Sequence, residues 1–203
     1  ETQILDFEVA VDVGCGAGEV SCALALAHPA SQVLGIDISP TLIAVARQRG
    51  DGIANLHFAE GDAARWLAER NHRPQLLISR HGVMFFADPP AAFAHLREQA
   101  APGARLRFSC FRPLAENAWA RALGSLVDSP AAPPDPEAPG PFAFGDTARV
   151  ERILGETGWT DIAFEPINYA MIASDEYDSR DAALDDAVSY FLRIGPSARA
   201  IAE

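Results

Sequence analysis

Three glycines alternate with small residues directly after an apolar run. Val9-Ala10-Val11-Asp12-Val13 leads into Gly14-Cys15-Gly16-Ala17-Gly18, and a helical pattern opens near Gly18. Glycine reaches positive φ at no steric cost and lets backbone amides come close to a bound molecule. The helix start adds unpaired N–H groups and the positive end of the peptide dipole. Strand, tight turn and helix in that order build a corner for a ligand, and the flanking charges narrow its chemistry. A dinucleotide corner wants its third glycine at position 19, with a pyrophosphate over the helix start. Position 19 is Glu, and Asp12 stands on the other side of the turn. Two carboxylates repel a phosphate and favour a cation.

Two further acids follow at matching places. Gln32 to Ser39 is an apolar strand ending in Asp37, about 20 residues past the glycines, a spacing from which a carboxylate accepts ribose hydroxyls. Ser39-Pro40 then reads as a cap with proline in the first helical position, and Asp37 as a plain cap residue is the structural alternative. Asn55 to Glu60 reads as a third strand, with Gly61-Asp62-Ala63-Ala64 turning into a helix that ends before Pro74. Asp62 is a good helix cap in its own right.

The series acid-x-Gly-x-Gly-x-Gly from Asp12 to Gly18, together with Asp37 and Gly61-Asp62-Ala63, resembles the class I S-adenosylmethionine-dependent methyltransferases. The likeness covers about residues 9 to 167 and is strongest to small-molecule members of the ubiquinone and menaquinone methyltransferase type. S-adenosylmethionine (SAM) carries a sulfonium and an ammonium and no phosphate, which suits the acids. The resemblance implies SAM as cofactor, with S-adenosylhomocysteine as product. It implies a cofactor site of Asp12, Gly14, Gly16, Gly18, Asp37, Ile38, Asp62, Ala63 and Ser79. Within that set, it gives Asp37 to the ribose, Asp62 to the adenine amino group and the Ala63 N–H to a ring nitrogen. Trp66, one turn after Asp62, either leans toward the adenine or packs in the core.

Gln75 to Ser79 is a buried-type strand whose carboxyl end would face the transferable methyl. Nucleic-acid and protein-glutamine N-methyltransferases carry Asn or Asp with Pro-Pro and an aromatic residue at that place; here it reads Ser79-Arg80-His81-Gly82. The later Asp88-Pro89-Pro90 is displaced by about nine residues and reads as a helix cap instead. His81 is the candidate general base, since imidazole titrates near neutrality. A packing role is its alternative. Arg80 is placed to meet an acidic acceptor or a lid carboxylate, and Phe85, Phe86 and Phe111 to wall the acceptor pocket or fill the core.

Alternation of strands and helices continues, as in a doubly wound, mostly parallel Rossmann-like α/β sheet. A helix over Ala91 to Ala100 precedes a fifth strand over Ala104 to Phe111, and a helix over Asp146 to Leu154, stopped by Gly158, precedes a sixth over Thr160 to Pro166. Residues 112–145 read as acceptor cap and partial lid: a helical stretch to Val127, then a proline-rich loop from Ser129 to Phe144. No hairpin turn follows Pro166, so strand seven is expected to be missing or to lie beyond the chain's end. Residues 175–203 read as a helical extension, with Gly195-Pro196 breaking it and Ser197 capping a last short helix.

Bulk properties suit one SAM-binding domain over residues 1–203, with 49% hydrophobic residues to supply a core. A net charge of −12 disfavours nucleic acid as acceptor. The sequence offers no apolar run of membrane-spanning length and no leader pattern, which predicts a cytoplasmic protein. Cys15, Cys22 and Cys110 read as small buried residues, and the five histidines show no ligand spacing, so no metal site is expected. Methyl transfer to a small-molecule acceptor is the function these features favour. A SAM-binding protein with other chemistry, or with a regulatory role and no turnover, is the alternative.

Overall fold

The computed structural model describes residues 7–66, 73–124, 135, 137–169 and 179–193. Five parallel strands form one sheet: β1 (Val9–Val13), β2 (Gln32–Asp37), β3 (Leu56–Glu60), β4 (Leu76–Arg80) and β5 (Arg105–Ser109), in the order β3-β2-β1-β4-β5. Helices α1 (Glu19–Ala27), α2 (Pro40–Arg49), α3 (Ala63–Trp66) and α4 (Pro89–Gln99) make the crossovers. Further on lie α5 (Ala118–Gly124), α6 (Thr147–Glu156) and α7 (Arg180–Arg193).

The central strands are apolar along their length because both faces are covered. On one face Val11, Val13, Leu34, Ile36 and Leu77 pack with Phe93 and Leu96 of α4 and with Val150, Ile153 and Leu154 of α6. The other face sets Ala10, Val33, Leu56 and Leu76 against Cys22 and Ala25 of α1. Strand alternation decides where Asp12 goes: with Val11 and Val13 on the α4 and α6 side, Asp12 faces α1.

Helix starts follow the sequence signals. The Ser39 hydroxyl accepts from the Leu42 N–H at 3.3 Å, with Pro40 in the first turn. Asp88 accepts from the Ala91 N–H at 3.0 Å, and Asp146 from the Ala148 N–H at 2.9 Å. Asp88-Pro89-Pro90 is thus the cap of α4, which starts two residues before the expected Ala91.

The sixth strand is a correction. Residues 160–169 contain no strand, and Phe164, Ile167 and Tyr169 are exposed. An apolar segment becomes a strand only when a neighbour takes its backbone hydrogen bonds, and among the described residues β5 pairs with β4 alone. The expected fifth strand is also shorter at both ends, Arg105–Ser109. No seventh strand occurs among the described residues. Within the expected helical stretch from 112 lie a short 3-10 turn at Leu114–Glu116 and then α5, and turns over 137–144 form the last part of the proline-rich loop. Residues 125–134, the continuation of the Asp62 helix and the last short helix from Ser197 lie outside the described residues.

Candidate cofactor site at the sheet's switch point

Strand order reverses between β1, from which the chain moves outward to β2 and β3, and β4, from which it moves outward to β5 on the other side; parallel sheets open a crevice at such a point. The crevice is here a cleft lined by Asp12, Gly14, Cys15, Gly16, Ala17, Glu19, Val20 and Arg80. Its floor is the glycine turn. Gly14, Gly16 and Gly18 have φ of 68°, 55° and 81°, values that side-chain-bearing residues seldom adopt. Gly14 and Cys15 both donate to the Ile36 carbonyl, at 2.9 and 3.0 Å. Gly18 needs its hydrogen for a second reason, since a Cβ there would lie 2.7 Å from the Phe58 ring.

Asp37 fastens the turn from the side. One carboxylate oxygen accepts from the Gly16 N–H at 2.8 Å and the other from the Ser39 N–H at 2.9 Å. A carboxylate has about four acceptor sites, so each oxygen keeps one for a ligand hydroxyl. Asp12 lies beneath the turn, 1% exposed, and accepts from the Ser21 hydroxyl of α1 at 2.6 Å. Burial pushes its carboxyl up to about 6, against the lowering effects of the Ser21 bond and the Arg80 charge. Asp62 is exposed just before α3, 3.9 Å from the Arg65 guanidinium, while its neighbour Gly61 donates to the Asp37 carbonyl at 2.9 Å. The three acids therefore stand at the ends of the adjacent strands β1, β2 and β3, although of the three only Asp12 lines the cleft. Ile38 is exposed beside Asp37, Ala63 is buried in the core, and the Trp66 side chain lies outside the description.

Ser79, expected in the cofactor site, makes its hydrogen bonds with backbone groups. Its buried hydroxyl donates to the Val13 carbonyl at 2.6 Å and accepts from the Gly82 and Val83 N–H groups at 3.2 Å each. It knots the turn after β4 to the end of β1 and does not line the cleft. The knot brings backbones so close that a Cβ on Gly14 would lie 2.8 Å from the Gly82 Cα, and one on Gly82 would lie 2.5 Å from the Val13 oxygen. The sequence held a signal for this crossing, a glycine directly after Ser79-Arg80-His81, but its partner across the sheet was not readable.

His81 has φ 63°, and its N–H bonds the Ser109 carbonyl at 3.1 Å. The imidazole lies 4.4 Å from the Phe111 ring, and burial, followed by the Arg80 charge, holds its pKa below the usual value. Phe111 also meets Trp119 of α5 at 5.5 Å and Phe142 at 6.1 Å. Four half-buried rings thus join the end of β4 to α5 and to the turn at Phe142. Phe86 packs on Phe93 in the core, and Phe85 is exposed. Among the described residues Arg80 pairs with Glu19 in the first turn of α1 and with no carboxylate of residues 112–145, and its bond holds the Glu19 carboxyl below its usual range. Arg49 approaches the same Glu19 at 3.7 Å.

Cys15 and Cys22 are buried free thiols, Cys110 is a partly buried one, and burial raises all three. Among the described residues no group of three potential ligands could hold a metal ion, and no helix is long and apolar enough to cross a membrane.

Comparison with known proteins agrees with this geometry. The profile of the methyltransferase domain family matches residues 10–103. A trans-aconitate 2-methyltransferase of Methylobacterium radiotolerans is 32% identical over 128 residues, 57% of this chain and 47% of the relative. One from Paracidovorax citrulli is 28% identical over 153 residues, 75% of this chain and 54% of the relative. The chain spans about half the length of these curated relatives. A solved SAM-dependent methyltransferase from Aquifex aeolicus superposes with a TM-score of 0.56 at 17% identity, covering 74% of this chain and 71% of that one, which shows a shared fold.

Proposed function

We propose, from this chain's place in the class I SAM-dependent methyltransferase family, that it transfers a methyl group from SAM to a small-molecule acceptor by direct displacement at the sulfonium. The observation that carries the proposal is the Asp37 carboxylate bonded to Gly16 across a positive-φ turn with buried Asp12 beneath it. These carboxylate acceptors suit ribose hydroxyls and a positive charge, and they repel a pyrophosphate.

Bound there, SAM supplies an activated methyl on a cationic sulfur. Asp37 offers its free acceptor sites to the ribose hydroxyls, and Asp62 with the Ala63 N–H serves the adenine edge. Asp12 and Glu19 supply negative potential to the cationic part. The rings of His81, Phe111, Trp119 and Phe142 shield the acceptor side from water and orient a planar or apolar body. Such alignment lowers a barrier by about 7 to 11 kcal/mol when reactants are well oriented. His81, held neutral at physiological pH by its lowered pKa, takes a proton from an acceptor that carries one. The relatives are named for trans-aconitate; for this chain the acceptor class is a small organic molecule.

Isothermal titration with SAM and with S-adenosylhomocysteine tests the reading. Both are expected to bind, and Asp37→Ala is expected to weaken each by about 1 to 3 kcal/mol, the cost of removing a hydrogen-bonded acceptor. Failure of both ligands to bind the folded wild-type protein overturns it.

A further inference from the structure

We propose that Arg80 is the anion-binding residue of the cofactor site, exchanging Glu19 for the α-carboxylate of the methionine part of SAM. The inference rests on the cofactor reading above and assigns one further residue to that site.

The cofactor carries three charges, and the acids account for two of them. Asp12, Asp37 and Glu19 favour the sulfonium and the ammonium, but a carboxylate brought among them is repelled. Among the described residues that line the cleft, Arg80 alone carries a positive charge. Its backbone is fixed, because Arg80 ends β4 in register with Ser109 and is followed by the Ser79 knot. Its side chain spans the mouth of the cleft to Glu19 on α1.

The pair is also easy to exchange. Arg80 and Glu19 side chains are 57% and 53% exposed, and ion pairs so wet contribute little to stability. A guanidinium has five donors in a planar fork that matches a carboxylate edge, so it can turn to a ligand without losing hydrogen bonds. Glu19 does not become an unpaired charge when Arg80 turns, since Arg49 already stands 3.7 Å from it.

Calorimetry on the full chain, with S-adenosylhomocysteine and its decarboxylated analogue S-adenosyl-3-thiopropylamine, separates this role from a structural one. Wild type is expected to prefer the carboxylate-bearing ligand. Arg80→Gln is expected to weaken S-adenosylhomocysteine about ten- to a hundredfold, the range of a charge-assisted hydrogen-bonded contact. The analogue should stay within about fivefold, the most that loss of an exposed ion pair costs. Arg80→Lys is expected to recover part of the affinity for S-adenosylhomocysteine. Equal weakening of both ligands, or unchanged affinity for S-adenosylhomocysteine, overturns the proposal. If wild type binds neither ligand, the cofactor reading itself falls.

Discussion

Asp12 is a carboxyl whose ionisation is set against two different demands. In the unfolded chain it titrates at its usual 3.8, and burial raises it to about 6 in the folded protein. Between those values the folded state binds more protons than the unfolded one. The resulting stability is fully present below pH 3.8 and lost as pH rises through 6. A cationic ligand wants the ionised form, so its affinity should change in the opposite sense. Affinity for SAM is expected to rise by up to about tenfold between pH 5 and pH 7.5 through this linkage, as the ionised fraction of Asp12 grows. Titrations of Asp12→Asn, which keeps an acceptor for Ser21, should be nearly flat over the same interval; an equally steep profile would remove Asp12 from the ligand's surroundings. At this scale the chain was partly legible. The acids at 12 and 37 and the glycines were readable because their types and spacing form a pattern along the chain, whereas the roles of Ser79 and Arg80 depend on partners 66 and 61 positions away that no spacing marks.

Elements were legible wherever one segment holds its own signals. The three central strands β2, β1 and β4 announce themselves as apolar runs bounded by turn residues, and α2, α4 and α6 carry their caps in the adjacent sequence. The segment from Thr160 also holds a short apolar run, Ile162-Ala163-Phe164, and forms no strand, because pairing is a property of two segments and no pattern in one of them reports it. The crossing of the β1 and β4 turns belongs to this scale as well. Gly14→Ala places a Cβ 2.8 Å from the Gly82 Cα at a φ of +68°, so backbone must shift on both sides. It is expected to destabilise the fold by about 1 to 3 kcal/mol, read as a lower melting temperature, and to abolish SAM binding. Gly16→Ala, with nothing within 4 Å of the added Cβ, isolates the φ effect and should cost less. Equal melting temperatures for the two variants would contradict the steric account.

For the molecule as a whole, charge and architecture restrict the acceptor without naming it. A chain of net charge −12 pays Coulomb repulsion at every phosphate it approaches, and the aromatic rings beside β4 offer little to a polyanion. Methyl label from SAM is expected in the small-metabolite fraction of an extract and not in its DNA or RNA; label in nucleic acid at physiological salt would refute this. The acceptor could not be read from the sequence because the rings proposed to receive it come from the end of β4, the segment after β5 and the turns near Phe142, joined only in three dimensions.

The bonds that shape the glycine turn, from Gly14 and Cys15 to Ile36 and from Gly16 to Asp37, are made within the polypeptide itself. Selection for a folded product therefore preserves the signature whether or not catalysis persists. Descendants that had abandoned turnover would still display it, and such lineages would diverge first at the aromatic wall and at position 80.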